Sequence, residues 1–145
     1  MGGANVLVSQ MKQAIEPFRG LRVRHWLHFT ALPLAGYDPI FSHQENLIAL
    51  FRGVVLAFLL LGFGYLLNSI GDRSTDLSED KNPLVGRPTL SKASVVAVVA
   101  LGVAAALLSL TGPFVVGIAT LCCLLCGTVY SMGFRLKRFP VVGTL

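Results

Sequence analysis

The chain has 145 residues, of which 54% are hydrophobic and only 13% are charged. A soluble domain of this size needs more polar surface to cover its core, so this composition excludes an ordinary soluble protein and favours an integral membrane protein. The formal net charge of +5 is compatible with nucleic-acid binding in general, but the basic residues are distributed as determinants of membrane topology, so we expect no nucleic-acid partner.

The first predicted element is a membrane span at residues 25–41, preceded by a basic segment. That segment lacks a continuous apolar stretch, so we expect no secretory signal and a cytoplasmic N-terminus. The span itself contains two His, one Asp and two Pro, which make its hydropathy marginal. Hydropathy alone therefore does not decide whether it crosses the membrane.

Three further spans follow, at residues 47–67, 93–110 and 114–130. Each is long enough, as a helix, to cross most or all of a hydrocarbon layer of ~30 Å. Arg52 is the only charged residue in the first of them and lies near its end, where its side chain can reach the membrane surface. The last two spans are joined by Thr-Gly-Pro and are rich in small residues, which predicts a closely packed helical hairpin.

The basic residues predict the topology of these spans. Eleven of the twelve Lys and Arg residues fall into three clusters, which lie before residue 25, between residues 73 and 92, and after residue 134. If the segment 25–41 crosses, all three clusters share one side of the membrane, as the positive-inside rule requires. We therefore predict an all-α bundle with four membrane spans in the cell (inner) membrane, with both chain ends and the loop 68–92 on the cytoplasmic side.

Three cysteines in the last span, Cys122, Cys123 and Cys126, have a spacing that occurs in metal sites. Their neighbours are apolar and offer no polar groups to support a metal ligand. We therefore predict a packing role for them.

An acidic segment follows the second span directly and contains four of the seven acidic residues of the chain. Asn68, Asp72, Asp76 and Asp80 recur every four residues, so a continued helix would place them on one face. A cation would relieve the repulsion between these carboxylates, and Mg²⁺ commonly binds one or two carboxylates together with substrate phosphates. On spacing alone, a solvated loop of mixed charge remains an open alternative. Basic residues interleaved with the acids would contact a diphosphate: Arg73, Lys81 and Arg87.

The motif Asn68-x3-Asp72-x3-Asp76, at the end of a membrane span, resembles the first aspartate-rich motif of the UbiA superfamily of prenyltransferases. Ser69 stands where many family members have Asp, which leaves the metal stoichiometry open. The other segments that resemble the family, in the family's order, are Arg22-Val-Arg-His-Trp26, Lys81-Asn82-Pro83, Arg87-Pro88, Tyr130-Ser131 and Arg135-Leu-Lys137.

The resemblance implies magnesium-dependent transfer of a prenyl group from an isoprenoid diphosphate to a lipophilic or aromatic acceptor in or near the membrane lipid, such as a quinone precursor. It implies that Asp72 and Asp76 are catalytic and hold the metal. Family members have nine spans and a second aspartate-rich motif, so we expect residues 1–145 to be an N-terminal half that is inactive without a C-terminal half. The residues implied to bind the diphosphate are Asn68, Arg73, Lys81 and Arg87.

Two other interpretations stay open. The chain could be a non-enzymatic four-helix membrane protein, such as an assembly subunit or part of a transporter, in which the acids are merely solvated. A CDP-alcohol phosphotransferase also uses Gly-x3-Asp-x3-Asp with a divalent metal, but here Gly64 precedes Asp72 by eight residues. That spacing makes the second alternative the weaker one.

Aromatic residues near the span ends are candidates for the wall of a prenyl pocket. Such residues are more often anchors at the membrane surface, so they are left out of the predicted site. Tyr130 and Arg135 are expected to mark a helix end, with a substrate role only through the resemblance. The candidates left out are Trp26, Phe29, Phe63 and Tyr65.

Overall fold

The computed structural model describes residues 2–35, 44–79, 82–86 and 89–132, and within these ranges every regular element is helical. The predicted all-α class is therefore confirmed for the described part of the chain. In chain order the elements are α1 (Gly2–Gly20), two 3-10 helices (Val23–His25 and Leu27–Ala31), α2 (Leu32–Ala35), α3 (Gln44–Asp72), α4 (Lys92–Ser109) and α5 (Phe114–Met132).

Three helices in the described ranges are long and apolar enough to cross a membrane, namely α3 from Leu47 onward, α4 and α5. Their outward side chains are also apolar: Val96 on α4 is 65% exposed and Leu121 on α5 is 56% exposed. Lipid solvates such a surface and water does not, so the chain is an integral membrane protein.

The segment predicted as the first span is not a regular helix where the structure describes it. Residues 25–35 form the 3-10 helices and the single turn of α2, and residues 36–41 lie outside the described ranges. Trp26, between the two 3-10 helices, has a non-helical backbone and donates its indole N–H to the carbonyl of Leu21 at 2.5 Å. The predicted count of four spans is therefore not confirmed.

This irregular segment nevertheless runs antiparallel to α3. Its start packs Trp26 against Tyr65, with ring centroids 6.0 Å apart. Its end brings Pro33 to the level of Gly53, where a Cβ would lie 3.3 Å from the proline ring. The segment thus covers about 18 Å of the length of α3, at 1.5 Å per helical residue.

Helix α3 is the centre of the bundle and contacts every other α-helix. Its Phe63 reaches both α4 and α5 where each has a glycine, at Gly102 and Gly127. The two glycines leave room for this ring, and small residues of this kind are common where membrane helices pack together. Helices α4 and α5 also contact each other, and a Cβ at Gly102 would lie 3.9 Å from the side chain of Leu124.

The two ends of the bundle are fixed by polar contacts. At the end formed by the α4–α5 turn, Arg52 donates a hydrogen bond to the carbonyl of Thr111 at 2.6 Å. The opposite end, called here the motif end, contains the C-terminus of α3 and the N-terminus of α4. There Ser91 caps α4 by accepting a hydrogen bond from the amide of Ser94 at 3.1 Å.

Candidate active-site cleft

A cleft of about 500 Å³ lies between α3 and α5 at the motif end. Its polar part is formed by Asn68 and Asp72 of α3, with Tyr130 and Ser131 of α5 opposite them. The remaining lining residues are apolar or aromatic: Leu60, Leu61, Gly64, Tyr65 and Gly127. The volume is within the range of small-molecule sites, about 300–1,000 Å³.

The register of α3 gives the cleft a gradient from polar to apolar. Positions 61, 64, 65, 68 and 72 are separated by one, three or four residues, so they lie on one side of the helix. The polar residues come last, in the final turns before α3 ends at Asp72. From Asp72 to Leu60 the wall extends about 18 Å toward the middle of the bundle. The arrangement suits an amphipathic molecule with an anionic head and an apolar tail.

The width of the cleft is set by a close approach of α3 and α5. A Cβ atom at residue 71 would collide with the carbonyl oxygen of Ser131. Only glycine therefore permits this spacing of the two backbones. Gly71 directly precedes Asp72, so the contact fixes the position of the carboxylate relative to α5.

Helix α3 does not continue as far as Asp76, the third residue of the acidic motif. After Asp72 the chain turns, and the amides of Thr75 and Asp76 each donate to the carbonyl of Asp72 at 2.9 Å. Asp76 is half-buried and lies one turn beyond the end of α3, and the lining of the cleft does not include it. The continuous acidic face that a longer helix would have formed is therefore absent from the described residues, because α3 ends at Asp72. Asp80 lies outside the described residues.

The loop after the motif is fastened to the end of α3 by Asn82, which is fully buried. Its side-chain amide donates to the carbonyl of Ser69 at 2.8 Å, and its side-chain oxygen accepts from the amide of Leu84 at 3.0 Å. The hydroxyl of Ser69 in turn donates to the carbonyl of Gly20 at 2.9 Å. Asn82 and Ser69 thus link α1, α3 and the loop directly behind the cleft. In the sequence, both residues stand out only as parts of motifs, so neither contact is predicted from it.

Of the three basic residues predicted to contact a diphosphate, the structure describes only Arg73. Arg73 is half-buried and lines a separate cavity of about 130 Å³, which shares Ser131 with the main cleft. Lys81 and Arg87 lie outside the described residues. Their predicted contacts with a diphosphate stay predictions.

Asp72 and Asp76 are the groups of the described motif that offer carboxylate oxygens to a metal ion. No group of three or more His, Cys, Asp or Glu side chains that could hold a metal occurs in the described ranges. A pair of carboxylates linked through one turn of backbone nevertheless suits Mg²⁺, which keeps several waters and takes further ligands from substrate phosphates. The chemistry of the two carboxylates is therefore compatible with this ion.

The aromatic residues that were left out of the predicted site do not share one role: some line the cleft, some are packed inside the bundle and one is exposed. Tyr65 and Tyr130 face each other's helices across the cleft and form part of its lining. Trp26 is fully buried behind Tyr65, which makes it a packing residue and not a surface anchor. Phe63 packs against Gly102 of α4 and Gly127 of α5. Phe29 is 43% exposed. The signal for Tyr65 was its position one turn before Asn68 on the same helix.

The cysteines Cys122, Cys123 and Cys126 are free and exposed on α5. They make no packed core within the described residues, so the packing role predicted for them is not found there. Their exposure adds to the apolar outer surface of α5.

These features define a helical membrane protein of several spans, with a cleft that opens at one end of the bundle and combines an acidic head region with an apolar tail region. The family model of the UbiA prenyltransferase family matches residues 27–145. The chain therefore belongs to the UbiA prenyltransferase family, as its motifs had indicated. No match was found among the curated proteins or among the solved structures.

Proposed function

We propose that the cleft binds an isoprenoid diphosphate for magnesium-dependent prenyl transfer. The observation that supports this proposal best is the change in polarity along one side of α3, from the polar Asn68 and Asp72 to the apolar Leu61 and Leu60. The diphosphate would lie at the polar end and the prenyl chain along the apolar wall. Membership of a prenyltransferase family supports the chemistry.

The proposed metal ligands are Asp72 and Asp76. Bound Mg²⁺ would supply Lewis-acid stabilisation of the charge on the departing diphosphate. The amide of Asn68 can donate a hydrogen bond to a phosphate oxygen. We further propose that Lys81 and Arg87 donate to the diphosphate, whereas Arg73 lines the neighbouring cavity and is the weaker candidate.

The proposed reaction breaks the bond between C1 of the prenyl group and its diphosphate oxygen, and the electron pair leaves with the diphosphate. The rings of Tyr65 and Tyr130 can stabilise the allylic cation through their faces without competing as strong nucleophiles. A nucleophilic atom of the acceptor then bonds to C1, and the acceptor loses a proton to solvent or to a nearby base. Such an acceptor is lipophilic or aromatic, because it must reach the apolar part of the bundle.

The cleft has walls from only α3 and α5 in the described part of the chain. The outer face of α5 beside it is apolar and exposed, with Leu125 61% exposed and Val129 41% exposed. We propose that further helices of a C-terminal half complete the cleft and contribute a second aspartate-rich motif. The motif end is proposed to face the cytoplasm, on the basis of the three basic clusters.

Binding of farnesyl diphosphate by the full chain in lipid nanodiscs, with and without Mg²⁺, tests the proposal. We expect binding to require Mg²⁺ and to weaken about tenfold or more in Asp72→Asn and Asp76→Asn, because each change removes a charged ligand. Glu79→Gln is the matched control, since Glu79 is an exposed acid of the same segment. Binding that is independent of Mg²⁺, or equally affected by all three substitutions, would contradict the proposal and favour a non-enzymatic membrane protein.

A further inference from the structure

Helix α1 exposes a stripe of large apolar side chains. Leu7, Met11, Ile15 and Phe18 are separated by three or four residues and therefore lie on one face of the helix. Their exposed fractions are 63%, 63%, 50% and 73%. Val8, which borders this stripe, is 51% exposed.

The opposite face of α1 is the one that packs against the bundle. At 100° per residue, Glu16 and Gly20 lie roughly opposite the stripe. Glu16 is only 4% exposed and accepts hydrogen bonds from the amide of Ser91 at 3.2 Å and the hydroxyl of Ser94 at 3.1 Å. A Cβ at Gly20 would lie 2.7 Å from the side chain of Leu66.

The helix is thus inverted relative to a surface helix of a water-soluble protein, in which the apolar face packs inward. The inversion indicates that the outer side of α1 meets an apolar medium. The C-terminal end of α1 is held at the motif end by the bond from Ser69 to the carbonyl of Gly20, beside the last turns of α3. The stripe therefore begins at the level where the membrane-spanning helices end.

We propose that α1 lies in the lipid interface at the motif end, with the stripe of Leu7, Met11, Ile15 and Phe18 among the acyl chains. Two exposed basic residues complement anionic headgroups: Arg19 in the last turn of α1 and Arg24 in the 3-10 helix that follows. The charge and the continuity with the membrane-spanning surface favour lipid over a second copy of the chain. This inference is independent of the proposed catalysis.

Photocrosslinking of the unsubstituted chain to lipid tests the assignment. The full chain is reconstituted in vesicles of phosphatidylcholine and phosphatidylglycerol that include a lipid with a photoactivatable acyl chain, and adducts are mapped by mass spectrometry. We expect adducts on Met11, Ile15 and Phe18 and not on Gln10, which is exposed beside the stripe. Leu121, on the outer face of α5, is the internal positive control.

Adducts on α5 without adducts on the stripe would overturn the proposal. So would crosslinks from the stripe to a second copy of the chain in place of lipid. The headgroup contribution is tested by Arg19→Gln combined with Arg24→Gln. We expect this double variant to lower the adduct yield on the stripe relative to Leu121 when phosphatidylglycerol is present, and to leave it unchanged in pure phosphatidylcholine. An equal yield in both lipid mixtures for both proteins would overturn the assignment to anionic lipid.

Discussion

Substitution of Gly71 by alanine tests whether the approach of α3 to α5 sets the geometry of the cleft. The new Cβ would collide with the carbonyl oxygen of Ser131, so the helices must separate by roughly 1 Å to regain an ordinary contact distance. Overpacking of this kind costs about 1–3 kcal/mol. Alanine also gains about 1 kcal/mol over glycine in helix propensity, so the net loss is smaller than the cost of overpacking.

Gly117→Ala is the matched control, because Gly117 is a helical glycine of α5 with no neighbouring atom within 4 Å of an added Cβ. The propensity gain is common to both variants, so the difference between their free energies of unfolding isolates the collision at about 1–3 kcal/mol. Thermal unfolding in one detergent, followed by circular dichroism, measures this difference. We also expect weaker Mg²⁺-dependent binding of farnesyl diphosphate in Gly71→Ala alone. Equal stabilities of the two variants, with unchanged binding, would show that the contact of Gly71 with Ser131 does not set the geometry of the cleft.

Substitutions at three further residues probe the surroundings of the cleft and the opposite end of the bundle. Asn82→Ala removes the hydrogen bond to the carbonyl of Ser69, so we expect the free energy of unfolding to fall by about 1–3 kcal/mol and amide hydrogen exchange in residues 82–86 to become faster. Unchanged exchange would show that Asn82 does not anchor this loop. Gly64→Leu places a side chain in the apolar wall, so the affinity for longer prenyl diphosphates should fall more than the affinity for geranyl diphosphate. An equal loss of affinity for all lengths would argue against this path for the prenyl group. Arg52→Leu removes the exposed hydrogen bond to the carbonyl of Thr111 and should lower the free energy of unfolding by about 1 kcal/mol, and Arg52→Lys should lower it less. Equal stability of the unsubstituted chain and both variants would show that this bond does not stabilise that end of the bundle.

The sequence was sufficient to predict the apolar helices and the family. Runs such as residues 93–110 have few polar groups and no breaking residue, so length and hydropathy alone define them as helices. The acidic motif was recognised because its residues recur at a helical spacing beside a membrane span. Both signals are local, and local signals are readable from one sequence.

Most of the failures concern contacts between distant segments, whereas the end of α3 depends on a local turn. The end of α3 at Asp72 depends on amides of the following turn, and the burial of Trp26 depends on Tyr65 and Phe58 across the bundle. The role of Asn82 requires the carbonyl of Ser69, thirteen residues away. No periodicity in the sequence reports such pairings, so the lining of the cleft by Tyr65 and Tyr130 could not be separated from a membrane-surface role.

The most direct test of the central claim is to locate a bound isoprenoid diphosphate on the chain. A farnesyl diphosphate analogue with a photoreactive group at the end of its tail is activated in the presence of Mg²⁺, and the adduct is mapped by mass spectrometry. We expect adducts on the apolar wall of the cleft, at Leu60 or Leu61, that unlabelled farnesyl diphosphate prevents and that Asp72→Asn abolishes. Adducts confined to the outer face of α5, such as Leu121, and insensitive to Asp72→Asn would contradict this claim.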